Sequence, residues 1–224
     1  MRDPVRLSLS QYEIAWQRMW QGLGAPKADP ALLRALLARY TEPHRHYHTL
    51  RHLEACFAHF DAVRHAAAHP QEVELALWFH DAVYDPRAAD NEALSAAWAQ
   101  RALAQAGVDG DAVRRIAGLI LATRHDAPAE EGRDAALLLD IDLAILGSPA
   151  ARFERYDRDV RLEYGHVPEA LYRFGRAAVL RRFLARPRLY RSAPAAALLE
   201  APARRNLAAA IAGLKARARR AVAK

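Results

Sequence analysis

Apolar residues in this chain recur at spacings of three and four, and the runs are broken about every fifteen to twenty residues by Asp, Ser, Pro or Gly. That rhythm confines the chain to helices packed on helices, and no convincing strand run competes with it. "SQYE" at 10–13 has the form of a capping box ahead of Ile14, Ala15, Met19 and Trp20, with Gly22 and Gly24 closing the helix. Asp29 followed by Pro30 reads as an N-cap and first helical position. A third helix should carry Leu53, Phe57, Phe60 and Val63, and a fourth should run from Pro70 through "EVELALWFHDAV" until Pro86 stops it. Further helices are expected over 90–106, 110–124, 134–146, 149–164, 168–185 and 194–219. The expected fold is all-α, a helical bundle of about nine or ten helices forming one domain over 1–224, with no internal repeat.

With 52% hydrophobic residues among 224, such a chain can bury a sizeable core without disulfides or a structural metal. Its one cysteine, Cys56, lies in the apolar run "LEACFAHF", so an intrachain disulfide is excluded and a buried free thiol is expected. The start "MRDPVRLSLSQYE" has no apolar signal core, and no run approaches the length of a membrane span. Together these point to a cytoplasmic protein without a membrane partner. The formal charge of +7 suits an anionic ligand, yet many arginines crowd the last fifty residues, in "LRRFLARPRLYR" and "KARARRAVAK". There they read first as a solvated helix face, so nucleic acid is not the expected partner. Homo-oligomerisation is compatible with the composition.

The chemistry-bearing residues fall in a few segments. "HRHYHTLRH" at 44–52 holds four histidines, of which His48 and His52, four apart, should share a helical face. His80 and Asp81 stand together in the apolar stretch "LALWFHDAVY", where an ionised carboxylate is costly unless a cation faces it. Asp140 and Asp142 sit in "LLLDIDLAIL", about 200° apart on a helix, so both cannot face one ligand. Asp140 also reads as a helix N-cap, which leaves Asp142 as the better inward-facing candidate. Imidazoles and carboxylates are the usual ligands of borderline divalent metals.

The ordered set "YHTLRH", "WFHDAVYD" and "LDIDL" resembles the H…HD…D signature of the HD-domain metal-dependent phosphohydrolases, with twenty-eight residues from His52 to His80 and sixty-two from His80 to Asp142. With "EPHRHYHTLRH", "DNEALSAA", "EYGHVPEALYRFGR" and "RPRLY", the likeness extends over nearly the whole chain to the bacterial predicted HD-superfamily hydrolases of unknown substrate. "YHTLRH" is also similar to the YHxxxH segment of cyclic-nucleotide phosphodiesterases, although no nucleotide-base clamp accompanies it.

The resemblance implies an HD-type helical domain with its metal-motif core at about 40–145 and C-terminal helices 149–219 packing on it. It implies His52, His80, Asp81 and Asp142 as ligands of one or two divalent ions (Mn, Fe, Co, Ni, Zn or Mg), with Asp81 also catalytic and His48 as the acid that protonates the leaving oxygen. Such a site would hydrolyse a phosphomonoester or phosphodiester of a small phosphorylated molecule, nucleotide-like or otherwise, by metal-activated water. His125, His44, Arg45 and Arg124 are the candidate phosphate contacts. Glu92 and Asp140 are candidates for orienting the ligands from behind. Two other readings stand beside this one. A di-iron oxygenase would use the same ligands with His125 added, and a non-catalytic regulatory module would bind nucleotide or nucleic acid.

Overall fold

The computed structural model describes residues 6–25, 28–124 and 132–222, with side chains described as far as residue 216. The fold is all-α: the described residues form ten α-helices and no strand. They divide between Asp142 and Leu143 into two compact units.

The first unit holds α1 (Leu9–Gly22), α2 (Pro30–Arg39), α3 (Leu50–Val63), α4 (Pro70–Phe79), α5 (Asn91–Gln105), α6 (Gly110–Ala122) and α7 (Arg133–Asp142). α4 is buried on every side from Glu72 to Phe79, as an all-round apolar helix must be, and it packs against α1, α3, α5, α6 and α7. Its two acids are neutralised where they lie. Arg115 grips Glu72 through two hydrogen bonds of 2.8 and 2.6 Å, and Glu74 pairs with Arg18 and Arg64. Beside α4, Trp16 meets the rings of Trp20 and Trp78 edge to face at 5.4 and 5.2 Å.

The second unit begins with a 3-10 segment, Leu143–Gly147, followed by α8 (Ala150–Glu163), α9 (Glu169–Ala185) and α10 (Ala193–Val222). Its own core gathers Leu146, Phe153, Leu180, Tyr190, Ala203 and Leu207. Asn206 ties α10 to the 3-10 segment by donating to the carbonyls of Leu146 and Ser148 at 2.8 Å each.

Helix positions follow the sequence reading closely, with informative exceptions. The capping box of α1 is formed by Ser8 and Gln11 rather than by Ser10 and Glu13, because Ser8 holds the extended conformation an N-cap needs. α3 starts at Leu50 behind an extended Thr49, so His48 precedes the helix and shares no helical face with His52. α4 stops at Phe79, which leaves His80 as its C-cap and Asp81 in the following turn rather than inside a helix. α7 ends on Asp142, so the two aspartates lie at a helix C-terminus and neither is an N-cap.

Candidate metal centre

The early end of α4 is fixed from outside it. The carbonyl of Trp78 accepts from the Tyr40 hydroxyl at 3.1 Å. The carbonyl of Asp81 accepts from Arg45 Nη1 at 2.6 Å, and that of Ala82 from Arg45 Nη2 and Arg39 Nε at 3.1 and 3.2 Å. Tyr40 thus satisfies a carbonyl that the terminating helix leaves unpaired, while Arg45 and Arg39 hold the turn beyond it that carries Asp81. Arg45 is thereby consumed. Its side chain is wholly buried, also donates to the His48 carbonyl and pairs with Glu42. A guanidinium so engaged has no face left for a substrate phosphate, and the expectation that Arg45 binds substrate is corrected to one of positioning.

His80 turns its Nδ1 to the Leu77 carbonyl at 2.8 Å, a bond that orients the ring so that Nε2 faces the cluster. That carbonyl does the orienting expected of Glu92, which stands half-buried in the first turn of α5 without a hydrogen bond or ion pair to a described residue. His80 Nε2 lies 3.1 Å from His52 Nε2, 3.1 Å from Asp81 Oδ2 and 3.7 Å from Asp142 Oδ1. His52 Nε2 is 3.4 Å from each of the two carboxylates. Ligand atoms about 2.1 Å from one ion are about 3.0 Å apart at a right angle and about 3.4 Å apart at a tetrahedral angle. Four of the five observed separations fall in that range and the fifth, 3.7 Å, slightly beyond it, so these atoms could neighbour one another around a single ion. Three segments far apart in sequence thus bring together four atoms that the sequence reading grouped.

The electrostatics fit a cation. Two carboxylates, half-shielded, face two buried imidazoles. Burial works against a charged His80, but the Asp81 carboxylate, aided by Asp142, outweighs it and pushes the His80 pKa up to about 9. For His52, burial likewise opposes charge, and its neighbours Cys56, Tyr47, Asp142 and Asp81 hold it well above its ordinary value. Asp81, which burial alone would raise, is held well below the usual carboxylate range by His80, His48 and His52. In the absence of a metal the cluster therefore holds protons on imidazoles where a divalent ion would otherwise balance the carboxylates.

Around this cluster, His48 is half-buried with its ring 4.1 Å from the Tyr84 ring and 5.9 Å from that of His52. His44 points Nε2 at the Tyr84 carbonyl at 2.8 Å. Asp140 is buried two residues short of Asp142. Arg124 is exposed just beyond the end of α6. His125 lies outside the described residues.

Cys56, which the sequence presents only as a buried free thiol, is one and lies a helical turn after His52, its Sγ within 3.7 Å of His52 Nε2. The i,i+4 pair of His52 and Cys56 in "HLEAC" was the available signal, masked by the apolar periodicity of the same helix. His52, Cys56, His80 and Asp142 form a group that could bind a metal ion. Compared with protein-family models, curated proteins and solved structures, the chain matches none of them.

Proposed function

We propose that this protein is a metal-dependent phosphohydrolase acting on a phosphomonoester or phosphodiester of a small molecule, and that it works in the cytoplasm. The observation that carries the reading is the convergence of His52, His80, Asp81 and Asp142, two nitrogens and two oxygens, at separations suited to one divalent ion. The ordered H…HD…D resemblance supports it. Four protein donors leave further positions open on an ion that takes six ligands, as a catalytic rather than a structural site requires.

When bound, a divalent ion supplies a lowered pKa for water and charge neutralisation at phosphoryl oxygens. The chain's own residues do the remaining work. Asp81 and Asp142 contribute the negative charge that selects a dication. The Nδ1 contact of His80 to Leu77 keeps its Nε2 turned toward the cluster. His48, held against Tyr84 and close to Asp81, donates a proton to the leaving oxygen, the general-acid role that imidazole most often fills. A reducing compartment agrees with the single free thiol, Cys56.

The test is phosphate release from a panel of phosphomonoesters and diesters with Mn, Co, Ni, Zn or Mg added. Activity in the wild type that falls at least about a hundredfold in Asp81→Ala, with helical content retained, is the expected outcome. Equal activity in Asp81→Ala would sink the proposal.

A further inference from the structure

The donor set contains one atom that phosphoester hydrolysis does not call for. Cys56 is 1% exposed, and among the described residues the hydrogen-bond partners of its Sγ are the two ring nitrogens of His52, Nε2 at 3.7 Å and Nδ1 at 3.9 Å. One donor atom from each of Cys56, His52, His80 and Asp142 lies within 4.8 Å of the others. An ion with bonds of about 2.3 Å to sulfur and about 2.1 Å to nitrogen sets those two atoms about 3.6 Å apart at a tetrahedral angle. The separation found between Sγ and His52 Nε2 is 3.7 Å.

From this geometry we infer that Cys56 is a sulfur ligand of the centre, which therefore accepts a thiophilic divalent ion of the Zn or Co class on Cys56, His52, His80 and Asp142. The inference rests on the reading of this cluster as a metal centre, and adds a ligand atom and a class of metal to it. As the metal–sulfur bond forms, the thiol proton passes to solvent. The physical basis is softness. Thiolate favours Zn, Co and their like over Mg and Mn, which prefer oxygen. Two overlapping donor sets then share His52, His80 and Asp142. Cys56 completes the one for a thiophilic ion, and Asp81, 3.1 Å from His80 Nε2, completes the one for a hard ion. The metal that loads the centre thus depends on which of two side chains, one on α3 and one in the turn after α4, engages it.

The experiment is an optical titration of the metal-free, full-length protein with Co(II), alongside Cys56→Ala and Cys56→Ser. The wild type is expected to develop visible ligand-field bands together with an intense near-ultraviolet sulfur-to-cobalt charge-transfer band. Both variants should keep the visible bands and their helical circular dichroism and lose the near-ultraviolet band. Their preference for Zn over Mn should fall by about tenfold or more. Visible bands without the sulfur band in the wild type, or a sulfur band that survives in both variants, would overturn the role of Cys56 while leaving the metal centre standing. No cobalt spectrum at all would overturn the centre itself, so the two failures are distinguishable.

Discussion

Protonation of His80 links the centre to the stability of the fold. Its pKa is pushed up to about 9 in the folded metal-free protein, against about 6.5 in an unfolded chain. A folded-state pKa above the unfolded one stabilises fully below pH 6.5 and is lost as pH rises through about 9. The shift corresponds to a contribution on the order of 3 kcal/mol. Urea unfolding of the metal-free protein at pH 6, 7.5 and 9 should show stability declining over that window; a flat or rising profile would contradict the picture. The same protons compete with metal, so affinity for a divalent ion should strengthen over the range in which metal-free stability falls. Arg45 is the other residue on which the centre depends. In Arg45→Met, the carbonyls of His48 and Asp81 lose their buried donor and that of Ala82 keeps only Arg39. A loss of about 3 kcal/mol is expected, read as a lower urea midpoint with weaker metal binding. The candidate ligands were legible because imidazoles and carboxylates in apolar stretches are conspicuous. The role of Arg45 was not legible because nothing local distinguishes an arginine that holds phosphate from one that holds carbonyls 36 and 37 residues away.

Among the elements, helix starts were more legible than helix ends. Asp29 and Pro30 open α2 as the sequence predicts, since a cap is a local contact between neighbours. The end of α4 at Phe79 was not legible, because Tyr40 meets the Trp78 carbonyl, and Arg39 and Arg45 hold the carbonyls of the turn beyond, all from a distant segment. That difference matters chemically: it frees Asp81 from helical geometry and lets it face His52 as well as His80. Close approach between elements was also hidden. At Gly147, where the 3-10 segment meets α10, an added Cβ would fall 2.7 Å from Leu199 Cβ and 2.9 Å from the Leu199 carbonyl oxygen. Gly147→Ala should therefore destabilise the second unit by about 1–3 kcal/mol, seen in its thermal unfolding. An unchanged unfolding profile would show that the contact yields without cost.

Across the whole molecule, the all-α class was readable from periodicity alone, whereas the division at Asp142 was not, because the chain runs from α7 into the 3-10 segment without a Gly- or Pro-rich linker. Every residue of the centre precedes that division, so the first unit supplies the four convergent atoms from α3, the turn after α4 and the end of α7. Their meeting at one point is the claim on which the proposed chemistry depends. It is tested most directly by an anomalous-difference map from crystals of the full-length protein grown with Mn(II). The predicted result is an ion within about 2.3 Å of His52 Nε2, His80 Nε2, Asp81 Oδ2 and Asp142 Oδ1. An ion bound elsewhere while these four side chains ligate nothing would contradict it.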